Sequence, residues 1–74
     1  MKRWFLEEMT NTDGFTTRLD AKTRDEAEKE ARDIFERLDK RDQERRIEVF
    51  AIYTEEDEDG IPDMENIEDE IVIK

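Results

Sequence analysis

The stretch Thr23-Arg24-Asp25-Glu26-Ala27-Glu28-Lys29-Glu30-Ala31-Arg32-Asp33-Ile34-Phe35-Glu36-Arg37-Leu38 decides how the rest of the chain is read. It opens with Thr-x-x-Glu, the capping box in which threonine and glutamate satisfy free backbone N–H groups at a helix start. Ala27, Ala31, Ile34, Phe35 and Leu38 then recur at helical spacing and form one apolar stripe. On the other side, Asp25/Lys29, Glu28/Arg32, Asp33/Arg37 and Glu36/Lys40 each place an acid four residues before a base, the favourable orientation for ion pairing along a helix. A single amphipathic helix with a solvated charged face is expected. A stripe this narrow must be buried against something else, and the flanking segments supply strands.

Upstream, residues 2–10 and 15–21 are rich in aromatic and β-branched side chains and are joined by Asn11-Thr12-Asp13-Gly14, a hairpin signal. Phe15, Thr17, Leu19 and Ala21 alternate with Thr16, Arg18 and Asp20, giving the second strand one inward face. A two-residue loop is rejected because it sets Glu8 opposite Leu19 on the core face. A four-residue loop over Asn11–Gly14 sets Leu6 opposite Leu19 and Glu7 opposite Arg18. A three-residue loop pairs Glu8 with Arg18 and turns Phe5 inward.

Downstream, Arg41 to Arg46 reads as a polar link. Its arginines are interleaved with Asp42 and Glu44 and follow Asp39, which argues against a nucleic-acid patch. Ile47–Thr54 reads as a third strand, with Ile47, Val49, Ala51 and Tyr53 on one face and Phe50 and Ile52 on the other. Glu70–Lys74, or a segment starting near Ile67, reads as a fourth. The expected fold is α+β, in ββαββ order, with a four-stranded sheet and one amphipathic helix packed on one face, in a single domain spanning 1–74. The element order resembles the β-grasp layout of immunoglobulin-binding bacterial domains. That resemblance implies a parallel pair of strands at the sheet centre and says nothing about function. Trp4, Phe50 and Ile52 cannot all fit under one helix. Some must face the open side of the sheet, there forming a contact surface or lying under the loop 55–66.

Half of the residues are charged and the net charge is −11, yet the charge is unevenly placed. Residues 1–50 are nearly neutral, whereas residues 51–74 hold ten acids against Lys74 alone. Such a surface repels nucleic acid and anionic lipid and attracts cations and basic protein surfaces. Like-charge repulsion leaves the order of 55–66 open. Neither cysteine nor histidine is present, which removes disulfides, thiolate zinc sites and the commonest general base. Serine is absent too, the threonines lack a histidine partner, there is no glycine-rich phosphate loop, and a thin domain offers little room for a dry pocket. No apolar run reaches a membrane span and no signal-peptide core begins the chain, so a soluble, cytoplasmic, non-enzymatic protein is expected.

Two readings of the acidic stretch follow. From Glu55, acids recur at loop positions 1, 3 and 5, with Gly60 at 6 and Asp63 at 9, an approximation to the EF-hand loop. Asp57-Glu58-Asp59-Gly60-Ile61-Pro62-Asp63 resembles the calcium loops of bacterial and thrombospondin type 3 repeats. The resemblance implies Asp57, Asp59 and Asp63 as side-chain ligands and a backbone role for Ile61. It departs at position 1, which is Glu55, and at position 12, where Asn66 stands in place of a bidentate glutamate. Alternatively, an extended chain advances about 3.4 Å per residue, close to the phosphate spacing along one DNA strand, so 55–59 reaches a comparable charge density. In size, charge and lack of catalytic residues the chain resembles small acidic phage-type inhibitors of nucleases.

The leading expectation is a protein-binding module. Its surface of Glu55, Glu56, Asp57, Glu58, Asp59, Asp63, Glu65, Glu68, Asp69 and Glu70 docks on a basic partner, with mimicry of nucleic acid towards a DNA- or RNA-binding protein as one form of it. The alternatives are a domain with a calcium-binding loop and a module that uses the sheet face around Phe50 and Ile52.

Overall fold

In the computed structural model, which describes residues 1–74, the helix expected from the capping box is α1, Arg24–Glu36. Thr23 stands in extended conformation before it, and its hydroxyl accepts the Glu26 N–H at 3.2 Å. The Glu26 carboxylate turns to the Thr23 hydroxyl, at 3.3 Å, instead of the backbone N–H that a full capping box would satisfy. Ala27 and Ala31 are fully buried, and their small side chains let the helix axis approach the sheet, with Ile34 and Phe35 at the margin. Of the four expected ion pairs along the helix only Glu28–Arg32 is closed, at 2.9 Å. Exposed pairs gain too little to hold two long side chains in one geometry, and the other three stay apart.

The polar link expected after α1 contains a second short helix, α2, Lys40–Arg45. Asp39 caps it by accepting the Asp42 N–H at 2.8 Å, and Gln43 Nε2 donates to the Leu38 carbonyl at 2.9 Å, tying the two helices together.

Four strands, β1 Lys2–Met9, β2 Gly14–Arg18, β3 Glu48–Glu55 and β4 Asp69–Val72, form one sheet in the order β2-β1-β3-β4. Every neighbouring pair is antiparallel, so the β-grasp arrangement with a parallel central pair does not form. Strand length supplies the reason. β3 matches β1 along its whole length, from Lys2 opposite Glu55 to Met9 opposite Glu48, whereas β4 has only four residues. A full antiparallel ladder beats a truncated parallel one.

The β1–β2 hairpin also adopts a register outside the two expected. Its turn is Thr10–Asp13, with Met9 opposite Gly14. The Thr10 N–H donates to the Asp13 carbonyl at 2.8 Å and the Thr10 hydroxyl accepts the Asp13 N–H at 2.9 Å, so a threonine side chain closes the turn and Gly14 becomes a strand residue. Relative to the Asn11–Gly14 turn the pairing slips by two residues, which preserves every side chain's face. It separates Glu7 from Arg18, however. Glu7 now faces Thr16, and Arg18 faces Phe5.

On the helix side of the sheet, Trp4, Leu6, Leu19, Ala21, Val49, Ala51 and Ile71 pack with Ala27 and Ala31. Trp4 lies against Tyr53, with ring centroids 5.2 Å apart. The opposite face is not open. Phe5 and Ile52 are wholly inaccessible there, although they lie outside the helix-side cluster. Thr54, on the same face and equally buried, shows what covers them: its hydroxyl lies 2.8 Å from the Asp63 carbonyl and 3.0 Å from that of Asn66. The segment after β3 therefore folds back across this face. Pro62 is buried and bridges to Glu56, and the Glu68 N–H rejoins the Tyr53 carbonyl at 2.8 Å. Of the two readings of this face, burial under the loop is the one realised, and Ile52 is not available as a contact surface. No helix is long and apolar enough to cross a membrane.

Candidate functional site

The acidic segment is built from two successive capped turns. Past Glu56 the chain leaves the extended conformation. The Asp57 N–H donates to the Ile61 carbonyl at 2.9 Å and the Gly60 N–H to the Asp57 carbonyl at 3.0 Å. The Asp57 carboxylate accepts the N–H groups of Asp59 (2.8 Å) and Ile61 (2.9 Å). Gly60 sits at φ +80°, a left-handed conformation that strains any residue carrying a Cβ. The expected phosphate-like ladder of carboxylates over 55–59 is therefore absent, because backbone bonding within 57–61 bends the chain where an extended strand was assumed.

The second turn is held by Asp63, whose carboxylate accepts from Asn66 Nδ2 at 2.9 Å and from the Glu65 N–H at 3.1 Å. These bonds, the asparagine's first, lower its pKa below the ordinary 3.8. The stability they contribute is present above that value and is lost as pH falls through the lowered pKa. Asp57 and Asp63 thus direct their oxygens at backbone and amide donors, and no group of three carboxylates converges to form a cation cage. The glycine turn that a calcium loop needs is present, but here it serves a hydrogen-bonded turn.

The ten residues expected to contact a partner divide by what they touch. Glu55 takes the N-terminal ammonium at 2.9 Å, Glu68 takes Lys2 at 2.8 Å and Asp69 takes Arg24 at 3.1 Å. The Glu68 hydrogen bond, then its charge, raises the Lys2 pKa above 10.5. Glu56, only 14% exposed, is held between Arg18 and Arg3, with Arg3 Nε at 3.6 Å. Arg3 also donates from Nη2 to the Leu19 carbonyl at 2.8 Å, which fixes it at the sheet edge. With Asp57 and Asp63 serving as caps, the carboxylates of Glu58, Asp59, Glu65 and Glu70 are left exposed with no cation beside them. Of these four, Glu65 lines a groove of about 460 Å³ together with Glu55, Glu56, Asp57 and Asp63 and the apolar Ile61, Pro62 and Met64. Ile61 and Met64 are 57% and 48% exposed, so an apolar surface sits within the acidic one.

At the other end of the sheet a larger groove, about 750 Å³, brings the Thr10–Asp13 turn against α2. Arg41, Arg45 and Arg46 line it, but so do Asp13, Asp42 and Glu44, so the arginine run forms no basic patch.

Glu7 and Glu8, each set against Arg18 in one of the expected hairpin registers, are instead buried and paired elsewhere. Glu8, on the helix side of β1, is paired with Arg46 at 3.1 Å, and the same guanidinium lies 5.0 Å over the Phe15 ring. Glu7, on the opposite face, has only the Thr16 hydroxyl, which donates to it at 2.8 Å. Burial raises the Glu7 pKa above the ordinary 4.5, and the Thr16 bond opposes the rise. Between 4.5 and the raised value the folded chain binds more protons than the unfolded one, so stability falls as pH rises through that window. We expect Glu7→Gln to keep the Thr16 bond, to raise Tm at pH 7 by about 4–8 °C for each 1 kcal/mol regained, and to gain little at pH 4. Thermal melts of both proteins across pH 4–8 measure this, and parallel pH profiles would refute it. Neither carboxylate carries a local sequence signal; only strand register buries them. No protein family, curated protein or solved structure matches the chain.

Proposed function

We propose that the protein is a non-catalytic binding module whose acidic loop docks on a basic protein surface. The observation that carries this reading is a groove in which the apolar Ile61, Pro62 and Met64 lie among acidic side chains, Glu65 among them without an ion-pair partner, on a segment whose Glu58, Asp59 and Glu70 are likewise exposed and unpaired. Long basic side chains match both parts. The aliphatic stem of an arginine or lysine covers Ile61, Pro62 and Met64 while its charged head reaches the acidic rim. Of the remaining acids of 55–69, Glu55, Glu56, Glu68 and Asp69 are ion-paired within the fold, while Asp57 and Asp63 keep their charge but are held in place by hydrogen bonds from backbone and amide groups. Basic surfaces shaped for nucleic acid fit this description, and the net charge of −11 steers them into contact.

The test uses an arginine-rich peptide as probe, titrated calorimetrically at low and high salt. Neutralising Glu58, Asp59, Glu65 and Glu70 together, as glutamine or asparagine, is expected to weaken binding by about 10- to 100-fold, at roughly 0.3–0.7 kcal/mol per rim charge. Ile61→Ala with Met64→Ala weakens it further without changing charge. Neutralising Glu44 and Glu48, at the other end of the sheet, leaves affinity within about threefold. Affinity that does not change with salt, or that responds equally to both sets of acids, would falsify the docking site.

A further inference from the structure

Strand β2 is the one strand with no acidic residue, Gly14-Phe15-Thr16-Thr17-Arg18, in a chain with 24 acids. It is also an edge of the sheet, and all five of its residues are exposed. The Leu19 N–H donates to the Trp4 carbonyl at 3.0 Å, which sets the alternation along the strand. Phe15, Thr17 and Leu19 turn their backbone groups towards β1, and Gly14, Thr16 and Arg18 turn theirs outward. No further strand pairs with that edge. Natural edge strands are ordinarily blunted by charge, proline, bulges or a covering element. The other edge, β4, follows that rule, with Asp69 and Glu70 in four residues and the Arg24 guanidinium over the strand. On β2 the single charge, Arg18, is already paired with Glu56.

We propose that β2 pairs with β2 of a second copy of this chain, antiparallel about a two-fold axis through Thr16, joining two four-stranded sheets into one of eight. The sequence is self-complementary in that register. Thr16 meets Thr16 of the partner copy in a hydrogen-bonded pair, the small Gly14 faces the bulky Arg18, and Phe15 lies across from Thr17 on the helix side. Like charge opposes the meeting of two copies of net charge −11, and it opposes it least at β2, which carries no acid, and most at β4. In the joined sheet the two β4 strands lie at opposite ends, seven strand spacings or about 34 Å apart. That distance is several times the screening length of about 8 Å at physiological salt. A β4–β4 pairing would instead bring Asp69 and Glu70 of both copies together.

Sedimentation equilibrium of the full chain from micromolar to millimolar concentration tests the pairing. The expected result is a doubling of mass that high salt does not reverse, unlike docking through the acidic loop. Thr16→Pro removes one outward N–H and places a ring at the seam, which an edge strand tolerates and a paired strand does not. That variant also takes from Glu7 its one hydrogen-bond donor, so it is expected to melt lower than the wild type, to keep its circular dichroism below that transition and to stay monomeric. A wild type that is monomeric throughout the range, or a folded Thr16→Pro that still doubles its mass, overturns the proposal. Should Thr16→Pro fail to fold, amide hydrogen exchange on the wild type decides. Protection of Thr16 and Arg18 that rises with concentration supports the pairing. Protection that stays flat there, or rises at Glu70 and Val72 instead, overturns it.

Discussion

Phe5→Ala is expected to destabilise the protein by about 3–5 kcal/mol, the range for truncating a fully buried phenylalanine. A chain of this length has a total stability of about 4–11 kcal/mol, so the variant should be largely unfolded or should melt at least about 12 °C lower. Phe5 faces away from the helix, and a two-layer fold would leave it exposed and its removal nearly neutral. Here it is inaccessible beneath the segment that Thr54 and Pro62 anchor. Chemical denaturation of wild type and variant measures the loss. A cost below about 1 kcal/mol would mean that the loop does not seal this face in solution. The prediction matters for function because the groove residues Ile61, Pro62 and Met64 belong to the same covering segment. The acidic site is thus the outer surface of a structural layer.

Arg46→Ala should be comparably severe. Glu8 is 5% exposed and Arg46 is its only cation, so removing the guanidinium strands a buried carboxylate and costs about 3–5 kcal/mol. The Phe15 ring loses its cation–π contact as well. Replacing both members, Glu8→Gln with Arg46→Met, removes the charge along with its partner and is expected to recover most of the loss. Denaturant melts of the single and double variants supply the comparison. If the double variant is no more stable than Arg46→Ala, the penalty comes from lost packing and not from an unpaired charge. Against this background the exposed pairs Lys2–Glu68 and Arg24–Asp69 are weak contributors, since water screens them.

Several features follow from residues whose meaning is local. The capping threonine and the 27/31/34/35/38 stripe specify α1 with its buried face, and alternation in Val49–Tyr53 assigns sides correctly: Val49 and Ala51 lie under the helix and Ile52 lies opposite. The concentration of charge after residue 54 is likewise a property of composition alone. α2 was legible in principle from Asp39 three residues before Asp42, a cap hidden in a run that reads as charged linker. Strand order and register were not legible, because element order fits both a parallel and an antiparallel centre and the choice depends on which partner matches β1 in length. The hairpin turned on one threonine hydroxyl competing with Asp13-Gly14 for the turn.

The candidate site shows the same division. Sequence alone determined that residues 55–70 hold the charge and that Gly60 marks a sharp turn, since both depend on residue type and spacing. Only the tertiary structure decided which carboxylates are free. Arg3 and Arg18 reach Glu56 because β1 and β2 place them beside it, and Lys2 and Arg24 meet Glu68 and Asp69 across separations of 66 and 45 residues. Asp57 and Asp63 are consumed as caps because the chain must satisfy its backbone donors where it turns. What remains without hydrogen-bonded or ion-pair partners is Glu58, Asp59, Glu65 and Glu70, with Glu65 on the rim of a groove that also exposes Ile61 and Met64.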